Sequence, residues 1–285
     1  MFTTAELRTV AVGSRLLRVA VRPARSGPGH GAPGQPARPA LLLINGIGAS
    51  LELLEPFVAQ VDPAVEVIRF DPPGVGGSAQ APGPYRFTGL CRLIARLLTE
   101  LGHDQVDVLG ISWGGAVAQH FAMFQRRRCR RLVLVATAAG AVMVPARPSV
   151  LAHMITPRRY LDRGYLQRVA GAIYGGSARD DPAAVAAVMH GELVMGSNRV
   201  GASRGYVYQL AAGAAWTSVP FLRWLRQPTL ILSGDDDPLI PLANARLLHL
   251  LIPDSRLHVY HGGHLELIIA AAELAPLVND FLAGN

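Results

Sequence analysis

Two spacings of hydrophobic residues alternate along most of the chain. Short apolar runs predict two strands within 8–22 and further strands at 40–44, 66–70, 105–109, 131–136, 228–233 and 256–260. Apolar residues at helical spacing predict helices at 51–60, 86–101, 113–125, 242–251 and 266–283. Ser50 is the expected N-cap of the first of these helices. Strands and helices that alternate in this way indicate an α/β fold with a mainly parallel sheet.

The alternation is interrupted in two places. From about Ala138 to about 220, helical stretches with Met, Tyr and Trp replace the strand-like runs. This pattern predicts one α/β core, formed by residues 1–140 and 221–285, with a mostly helical insertion at 141–220. Residues 23–39 are rich in Gly and Pro, so we expect a loop there and assign it no role.

The composition excludes several classes of protein. Hydrophobic residues fill 50% of the 285 positions and charged residues 16%, which excludes a disordered chain. Two cysteines are too few for a disulfide scaffold or a four-cysteine zinc site, and we expect neither a metal nor a cofactor. The net charge is +7, but without a zinc-finger or RNP-like motif we expect no nucleic-acid partner. The longest nearly apolar run, 132–144, is too short to cross a membrane, so we expect a cytoplasmic protein.

The motif Gly110-Ile-Ser-Trp-Gly114 carries the clearest chemistry. It follows a predicted strand and precedes a predicted helix, which is the context of a nucleophile elbow. Small residues on both sides let the strand and the helix approach closely, and the tight turn exposes the hydroxyl of Ser112. We therefore predict that Ser112 is the nucleophile of a serine hydrolase. A structural serine in a glycine-rich turn is the alternative, which the strand and helix context disfavours.

A serine hydroxyl needs a base to take its proton, and nine histidines are available. His264 follows the strand predicted at 256–260 and precedes the last helix. In a parallel sheet this position lies at the same edge as Ser112, so we predict His264 as the base. His261, three residues nearer the strand, is the alternative.

The acid that orients the base is expected in the loop after the strand at 228–233. This loop contains Asp235, Asp236 and Asp237, and position alone does not choose among them. The resulting order along the chain, serine, acid and histidine, is the order of the α/β-hydrolases.

An oxyanion hole needs two backbone N–H groups that point at one place. One is expected from Trp113, directly after the predicted nucleophile. The other is expected from the loop after the strand at 40–44, where we choose Ile47 by its position. A plain helix-entry turn is the alternative interpretation of that loop.

Nearly the whole chain from residue 40 onward resembles the intracellular poly(3-hydroxyalkanoate) depolymerases for medium-chain-length polyesters, which have the α/β-hydrolase fold. The similar segments are LLLINGIGASLELLEPFV, RFDPPGVGGS, PYRFTGL, VLGISWGGAVAQ, RLVLVATAAGAVMVP, TPRRY, IYGG, GDDDPLIPL and GGHL. The resemblance implies Ser112 as the nucleophile and His264 as the base. It implies Asp237 as the acid, because Gly234, Asp237 and Pro241 match the superfamily pattern G-x-x-D-x-x-x-P. It also implies that the helical insertion is a cap.

The resemblance further implies a substrate and a location. The expected activity is hydrolysis of a hydrophobic polyester of 3-hydroxy acids to monomers or oligomers through an acyl-enzyme, at storage granules in the cytoplasm. Large residues of the insertion are candidates to line an acyl-chain pocket, although packing inside the insertion explains each equally well: Met143, Met154, Tyr160, Tyr165, Tyr174, Tyr206, Tyr208 and Trp216.

Three other functions stay open at this point. A generic carboxylesterase and a C–C bond hydrolase have the same fold and the same three catalytic residue types. A non-catalytic granule-binding or receptor protein is the third alternative, and the intact set of Ser112, Asp237 and His264 disfavours it.

Overall fold

The computed structural model describes residues 5–25, 38–189 and 199–284. Its strands form one eight-stranded sheet: β1 (Glu6–Val12), β2 (Arg15–Arg22), β3 (Ala40–Ile44), β4 (Val67–Phe70), β5 (Val106–Ile111), β6 (Cys129–Val135), β7 (Thr229–Gly234) and β8 (Ser255–Tyr260). Their order in the sheet is β1-β2-β4-β3-β5-β6-β7-β8. The first two strands run antiparallel to their neighbours, and all other neighbouring strands are parallel. The predicted α/β class with a mainly parallel sheet is confirmed.

The helices of the described residues are α1 (Glu55–Val58), α2 (Phe87–Glu100), α3 (Trp113–Phe124), α4 (Pro148–Ala152), α5 (Arg158–Leu161), α6 (Arg163–Tyr174), α7 (Ser177–Asp180), α8 (Pro182–Met189), α9 (Arg199–Ala214), α10 (Ala243–Leu251), α11 (Glu266–Ile269) and α12 (Ala271–Ala283). Short 3₁₀ segments add Leu51–Leu54 and Leu222–Trp224. Six of these helices, α4 to α9, lie between β6 and β7, where the alternation of the sequence stops.

Helices cover both faces of the sheet. Phe121 of α3 and Leu248 of α10 are buried on one face, together with the apolar residues of α2. Phe57 of α1 and Val278 of α12 are buried on the opposite face. Because a strand buried on both sides has no polar face, β3 reads ALLLI without alternation and all five residues are buried. Because the strands β3 to β8 run parallel, their carboxyl ends meet at one edge of the sheet. The predicted site residues follow these strand ends.

Two predicted helices differ from the structure in detail. Ser50 makes no side-chain cap, and the backbone N–H of Leu51 donates instead to the buried carboxylate of Asp71 at 2.7 Å. The segment after Ser50 is a 3₁₀ turn followed by the single turn of α1. The helix predicted at 266–283 is divided at Ala270, where the backbone leaves helical geometry (φ −105°, ψ 38°). Of the loop predicted at 23–39, residues 26–37 lie outside the described ranges.

Among the described residues, none of the helices combines the length and the apolar character needed to cross a bilayer.

Candidate active site

Ser112 occupies the sharp turn between β5 and α3. Its backbone is held at φ 54° and ψ −119°, a region that non-glycine residues rarely adopt. A side chain on Gly114 would overlap the backbone of Ile44 in β3, so this turn requires glycine for the close approach. The backbone N–H of Ser112 donates to Val135 at 2.9 Å. The turn thus presents a half-exposed serine at the carboxyl edge of the sheet, as the motif predicts.

His264 and Asp237 lie together at the same edge. Nδ1 of His264 is 2.7 Å from Oδ2 of Asp237, and both side chains are buried. The other carboxylate oxygen, Oδ1, accepts the backbone N–H groups of Leu239 at 2.9 Å and Ile240 at 2.8 Å. Because a carboxylate only accepts, the ring donates from Nδ1 and leaves Nε2 able to take a proton.

The other two acids of the loop have different partners. Asp235 lies against Nδ1 of His261 at 3.2 Å and accepts the backbone N–H of Gly262. These contacts lower the pKa of the Asp235 carboxyl, the N–H of Gly262 most strongly, and the carboxylate raises the pKa of His261. The His261 side chain is 95% exposed. Asp236 accepts the backbone N–H of Gly176 at 2.8 Å and pairs with Arg179 at 3.1 Å. Among the three neighbouring acids, the contact to His264 is made by Asp237.

Ser112 and His264 line a common small cavity of about 30 Å³. The hydrogen bonds of the described residues do not include one between the Ser112 hydroxyl and the His264 ring. Such bonds are often long in the ligand-free state and tighten when substrate binds. The ring of Tyr174 lies nearly parallel to the imidazole of His264, with the two ring centroids 6.1 Å apart.

The two N–H groups predicted for an oxyanion hole border the nucleophile. Gly46 donates its N–H to the side chain of Asn45 at 2.8 Å, and Gly48 donates its N–H to Gln209 at 2.7 Å. Ile47 and Trp113 make no backbone N–H hydrogen bond to another described residue. Ile47 lines both cavities that meet at Ser112, and Trp113 is the first residue of α3. These two N–H groups are therefore available to a substrate oxygen.

Ser112 also lines a second, larger cavity. It has a volume of about 650 Å³ and walls that are almost entirely apolar. Met143, Met154 and Trp216 of the predicted pocket residues line it, while Met154, Tyr160 and Tyr174 line the small cavity. Tyr165, Tyr206 and Tyr208 line neither of these two cavities. The site thus combines a small cavity that His264 lines with a large apolar cavity, and Ser112 lines both.

The end of α6 is joined directly to the histidine and acid loops. The carbonyl of Tyr174 accepts the backbone N–H of His264 at 2.7 Å. A side chain on Gly175 would overlap the carbonyl of Asp236, and one on Gly176 would overlap the backbone of Gly263. Both glycines have positive φ, 64° and 44°. The IYGG segment therefore needs both glycines for this contact.

Two residues at the site carry no motif and were missed by the sequence analysis. Arg159, in α5, is 1% exposed and lines the small cavity. Gln209, in α9, is fully buried and contacts the loop after β3. Arginine and glutamine are mostly exposed in proteins, so the sequence alone places both side chains on the surface. The only available signal was the TPRRY segment of the family resemblance.

Nothing in the described ranges brings three or more His, Cys, Asp or Glu residues together in a group that could hold a metal ion.

Comparisons with known proteins agree with the fold described above. A family model described as the alpha/beta hydrolase fold matches residues 39–191 and 196–271. The chain is 50% identical over 275 residues to the poly(3-hydroxyalkanoate) depolymerase of Ectopseudomonas oleovorans. The alignment covers 96% of this chain and 92% of that protein. It is 28% identical over 242 residues to 3-oxoadipate enol-lactonase 2 of Acinetobacter baylyi, with coverage of 81% and 84%.

Solved structures show the same fold. The enol-lactonase of Burkholderia xenovorans LB400 superposes with a TM-score of 0.75 at 23% identity, covering 97% of this chain and all of that chain. The predicted fold is confirmed by this likeness and by the family match. The protein is therefore an ester-hydrolysing enzyme that belongs to the α/β-hydrolase fold family, in the branch that contains poly(3-hydroxyalkanoate) depolymerase.

Proposed function

We propose that the protein degrades medium-chain-length poly(3-hydroxyalkanoate) to 3-hydroxy acids through an acyl-enzyme on Ser112. The observation that carries the proposal is the 2.7 Å contact of His264 with Asp237 at a cavity shared with Ser112. The roles proposed are Ser112 as nucleophile, His264 as base and acid, and Asp237 as the carboxylate that orients the imidazole.

Acylation uses these groups in sequence. Nε2 of His264 takes the proton of the Ser112 hydroxyl while Oγ forms a bond to the ester carbonyl carbon. The electron pair of the carbonyl bond moves to its oxygen, and the N–H groups of Ile47 and Trp113 stabilise this oxyanion. When the intermediate collapses, the ester C–O bond breaks and the leaving oxygen takes the proton from His264. The products of this half are an alcohol and an acyl-Ser112.

Deacylation repeats the same steps with water. His264 takes a proton from water as the water oxygen bonds to the acyl carbon. Collapse of the second intermediate breaks the bond to Oγ of Ser112, which recovers its proton from the imidazolium. The acid product is released and the enzyme returns to its starting state.

The proposed substrate rests on the relative and on the large cavity. The depolymerase that shares 50% identity is named for poly(3-hydroxyalkanoate). An apolar cavity of about 650 Å³ beside Ser112 suits a polyester with long side chains. Each buried methylene contributes about 0.8 kcal/mol, so several additional methylenes favour a medium side chain over a methyl by a few kcal/mol at most.

The same proposal assigns a role to residues 141–220 and a location to the protein. The helices α4 to α9 would act as a cap, because their residues form part of the walls of both cavities. A water-insoluble polyester is stored as granules, so the enzyme would act at a granule surface in the cytoplasm.

Labelling with a fluorophosphonate tests the chemistry. Wild-type protein should be labelled on Ser112, and Ser112→Ala should lose all labelling while it keeps its fold. His264→Ala should lose hydrolysis to a similar degree, because such residues act as a unit. His261→Ala is the matched control, since its side chain is exposed, and it should keep most of the activity. Labelling of another serine, or a greater loss in His261→Ala, would contradict the assignment.

Turnover of amorphous polyester granules tests the substrate. We expect kcat/KM at least tenfold higher for medium-chain than for methyl-side-chain polymer. Activity confined to small soluble esters would identify a generic carboxylesterase. Labelling without ester hydrolysis would favour a C–C bond hydrolase, and absence of both would favour a binding protein.

A further inference from the structure

The longest apolar run of the sequence, 132–144, leaves the core halfway along its length. Its first part belongs to β6, which pairs with a strand on each side. The chain then continues as AAGAVMVPA over residues 138–146, a stretch without any charged, hydroxyl or amide side chain. The side chains of Val142 and Val144 in this stretch are nevertheless exposed. Single exposed apolar residues are common, whereas a group of them marks a surface that binds a partner.

The backbone of this loop is fixed by bonds to other parts of the fold. The buried side chain of Asn244 accepts the N–H of Val144 at 2.8 Å and donates to the carbonyl of the same residue at 2.9 Å. The N–H of Ala141 donates to the carbonyl of Trp216 at 2.7 Å. These bonds hold the backbone on both sides of Val142. The exposure of the two valine side chains is therefore built into the fold.

The same loop forms part of the wall of the large cavity. Ala141, Met143 and Pro145, which alternate with the two valines along the chain, line this cavity. Leu151 and Val207 also line it, and their side chains are exposed. The cavity thus opens to solvent beside apolar side chains.

Ile155 adds a further exposed side chain next to this opening. It is 67% exposed and follows Met154, which lines the cavity. The exposed apolar side chains of this region are here named the apolar rim: Val142, Val144, Leu151, Ile155 and Val207. Among the described residues, the walls of the large cavity include no charged side chain. An uncharged, mainly apolar surface therefore continues from the apolar rim toward Ser112.

The size of the large cavity indicates what covers the apolar rim. Its volume of about 650 Å³ is that of a site for one small molecule. A polyester of many units places only a short part of its chain in such a cavity, and the remainder lies outside the opening. This remainder carries alkyl side chains and no charge along its length, which matches the chemistry of the apolar rim.

We propose that the apolar rim binds the surface of amorphous polyester, from which a segment of the polymer enters the large cavity. This inference rests on the polyester hydrolysis proposed above. Contact between the rim and the alkyl chains of the polymer removes apolar surface from water, which favours binding. Val142, Val144 and Ile155 line neither cavity, so adsorption depends on side chains outside the place of cleavage.

A triple variant that combines Val142→Ser, Val144→Ser and Ile155→Ser tests this surface. Two quantities are measured: the affinity for amorphous medium-chain polyester granules, and the ratio of granule turnover to turnover of a soluble medium-chain ester. We expect each to fall by about tenfold, because apolar contact area is lost at three positions. Turnover of the soluble ester should stay unchanged, because these side chains line neither cavity.

The matched control combines Leu7→Ser, Leu250→Ser and Val259→Ser. These three side chains are also exposed and aliphatic, and they line neither cavity. Leu250 is 79% exposed, more than Ile155 at 67%, so an effect of surface hydrophobicity in general would appear in this control. We expect the control to keep the wild-type affinity for granules and the wild-type ratio.

Further readouts separate the possible failures. Fluorophosphonate labelling of Ser112 reports whether the triple variant is folded; if it is not, Ile155→Ser alone decides, with an expected loss of about threefold in the ratio. An unchanged ratio in the folded variant, or an equal loss in the control, would overturn the role of the apolar rim and leave polyester hydrolysis intact.

Two other occupants of the apolar rim would also overturn the inference. Stronger adsorption of wild type to phosphatidylcholine vesicles than to polyester granules would identify a lipid surface. A dimer in sedimentation experiments that the triple variant abolishes would identify a second copy of the chain. Hydrolysis of the soluble ester without hydrolysis of any polyester would overturn the proposed function and this inference together.

Discussion

The side-chain oxygen of Gln209 accepts a hydrogen bond of 2.7 Å from the backbone N–H of Gly48. The backbone carbonyl of the same glutamine accepts the indole N–H of Trp113 at 2.9 Å. One buried residue of α9 therefore holds both chain segments that carry the proposed oxyanion donors. The position of Ile47, between Gly46 and Gly48, depends on this attachment.

Replacement of Gln209 by Leu should lower kcat more than it changes KM. The loop at 45–48 would lose its anchor, and loss of a well-placed oxyanion donor costs about 10²–10³ in kcat. Since the donor is displaced rather than removed, we expect about a tenfold loss. Steady-state kinetics on a soluble ester, with the melting temperature measured in parallel, check this prediction. Gln167→Leu, on an exposed position of α6, is the control. A change in melting temperature alone would mean that Gln209 is only structural.

Asparagine substitutions at the three neighbouring acids should have very different effects. Asp237→Asn should lower turnover by up to about four orders of magnitude, because an amide favours the wrong imidazole tautomer. Asp235→Asn affects an exposed contact with His261 and should be mild. Asp236→Asn weakens the contact to Gly176 and should reduce stability more than kcat. Equal losses at all three positions would indicate that the charge of the loop matters rather than one hydrogen bond.

Valine at position 213 should reduce the preference for medium side chains. Gly213 lines the large cavity, and a Cβ at this position would lie 3.5 Å from the Trp113 ring, in ordinary contact. The added methyl groups therefore occupy cavity space without a clash in the core. We expect the ratio of medium-chain to short-chain kcat/KM to fall at least threefold. Gly89→Val, at an exposed helical glycine with open space around it, should leave the ratio unchanged. An unaffected ratio in Gly213→Val would exclude this cavity as the side-chain site.

The stability of the fold should decrease as the pH falls from about 6.5 toward 4. Burial lowers the pKa of His120 to about 4, and its Nδ1 accepts the indole N–H of Trp216 at 3.1 Å. Below the unfolded pKa of about 6.5 the unfolded chain binds a proton that the folded chain does not. Between pH 7 and pH 5 this costs about 1–2 kcal/mol of unfolding free energy.

Urea unfolding at the two pH values checks this prediction. His120→Gln keeps an acceptor for Trp216 and removes the titration, so it should reduce the loss between pH 7 and pH 5. His249→Gln, near the surface, is the control and should lose as much stability as wild type. The same loss in His120→Gln would show that other groups cause the pH dependence.

The sheet and the approximate position of each strand followed from hydrophobic spacing alone. A strand such as β3 is buried on both faces and consequently has no polar residue, which makes it visible in the sequence. Ser50 was misjudged because a cap depends on what lies nearby in space. The carboxylate of Asp71, twenty residues later, bonds the N–H of Leu51 in its place. The local pattern of residues around a helix start does not show contacts between residues so far apart in the sequence.

The residues of the candidate site could be predicted only where a local sequence pattern marks them. Ser112 lies in a motif and His264 at a strand end, whereas the choice of Asp237 within a run of three acids needed the family resemblance. The separate partners of Asp235 and Asp236 appear only in three dimensions. Arg159 and Gln209 have residue types that are usually exposed, and their buried side chains bond to groups far away in the sequence, the Tyr206 hydroxyl for Arg159 and the Gly48 backbone for Gln209.

The contact of Tyr174 and the two following glycines with the histidine loop has a consequence for engineering. The helices between β6 and β7 are not an exchangeable cassette, since a graft that omits Gly175 or Gly176 would displace the backbone next to His264. A transplanted set of helices must keep residues 174–176 with the recipient's own acid and histidine loops.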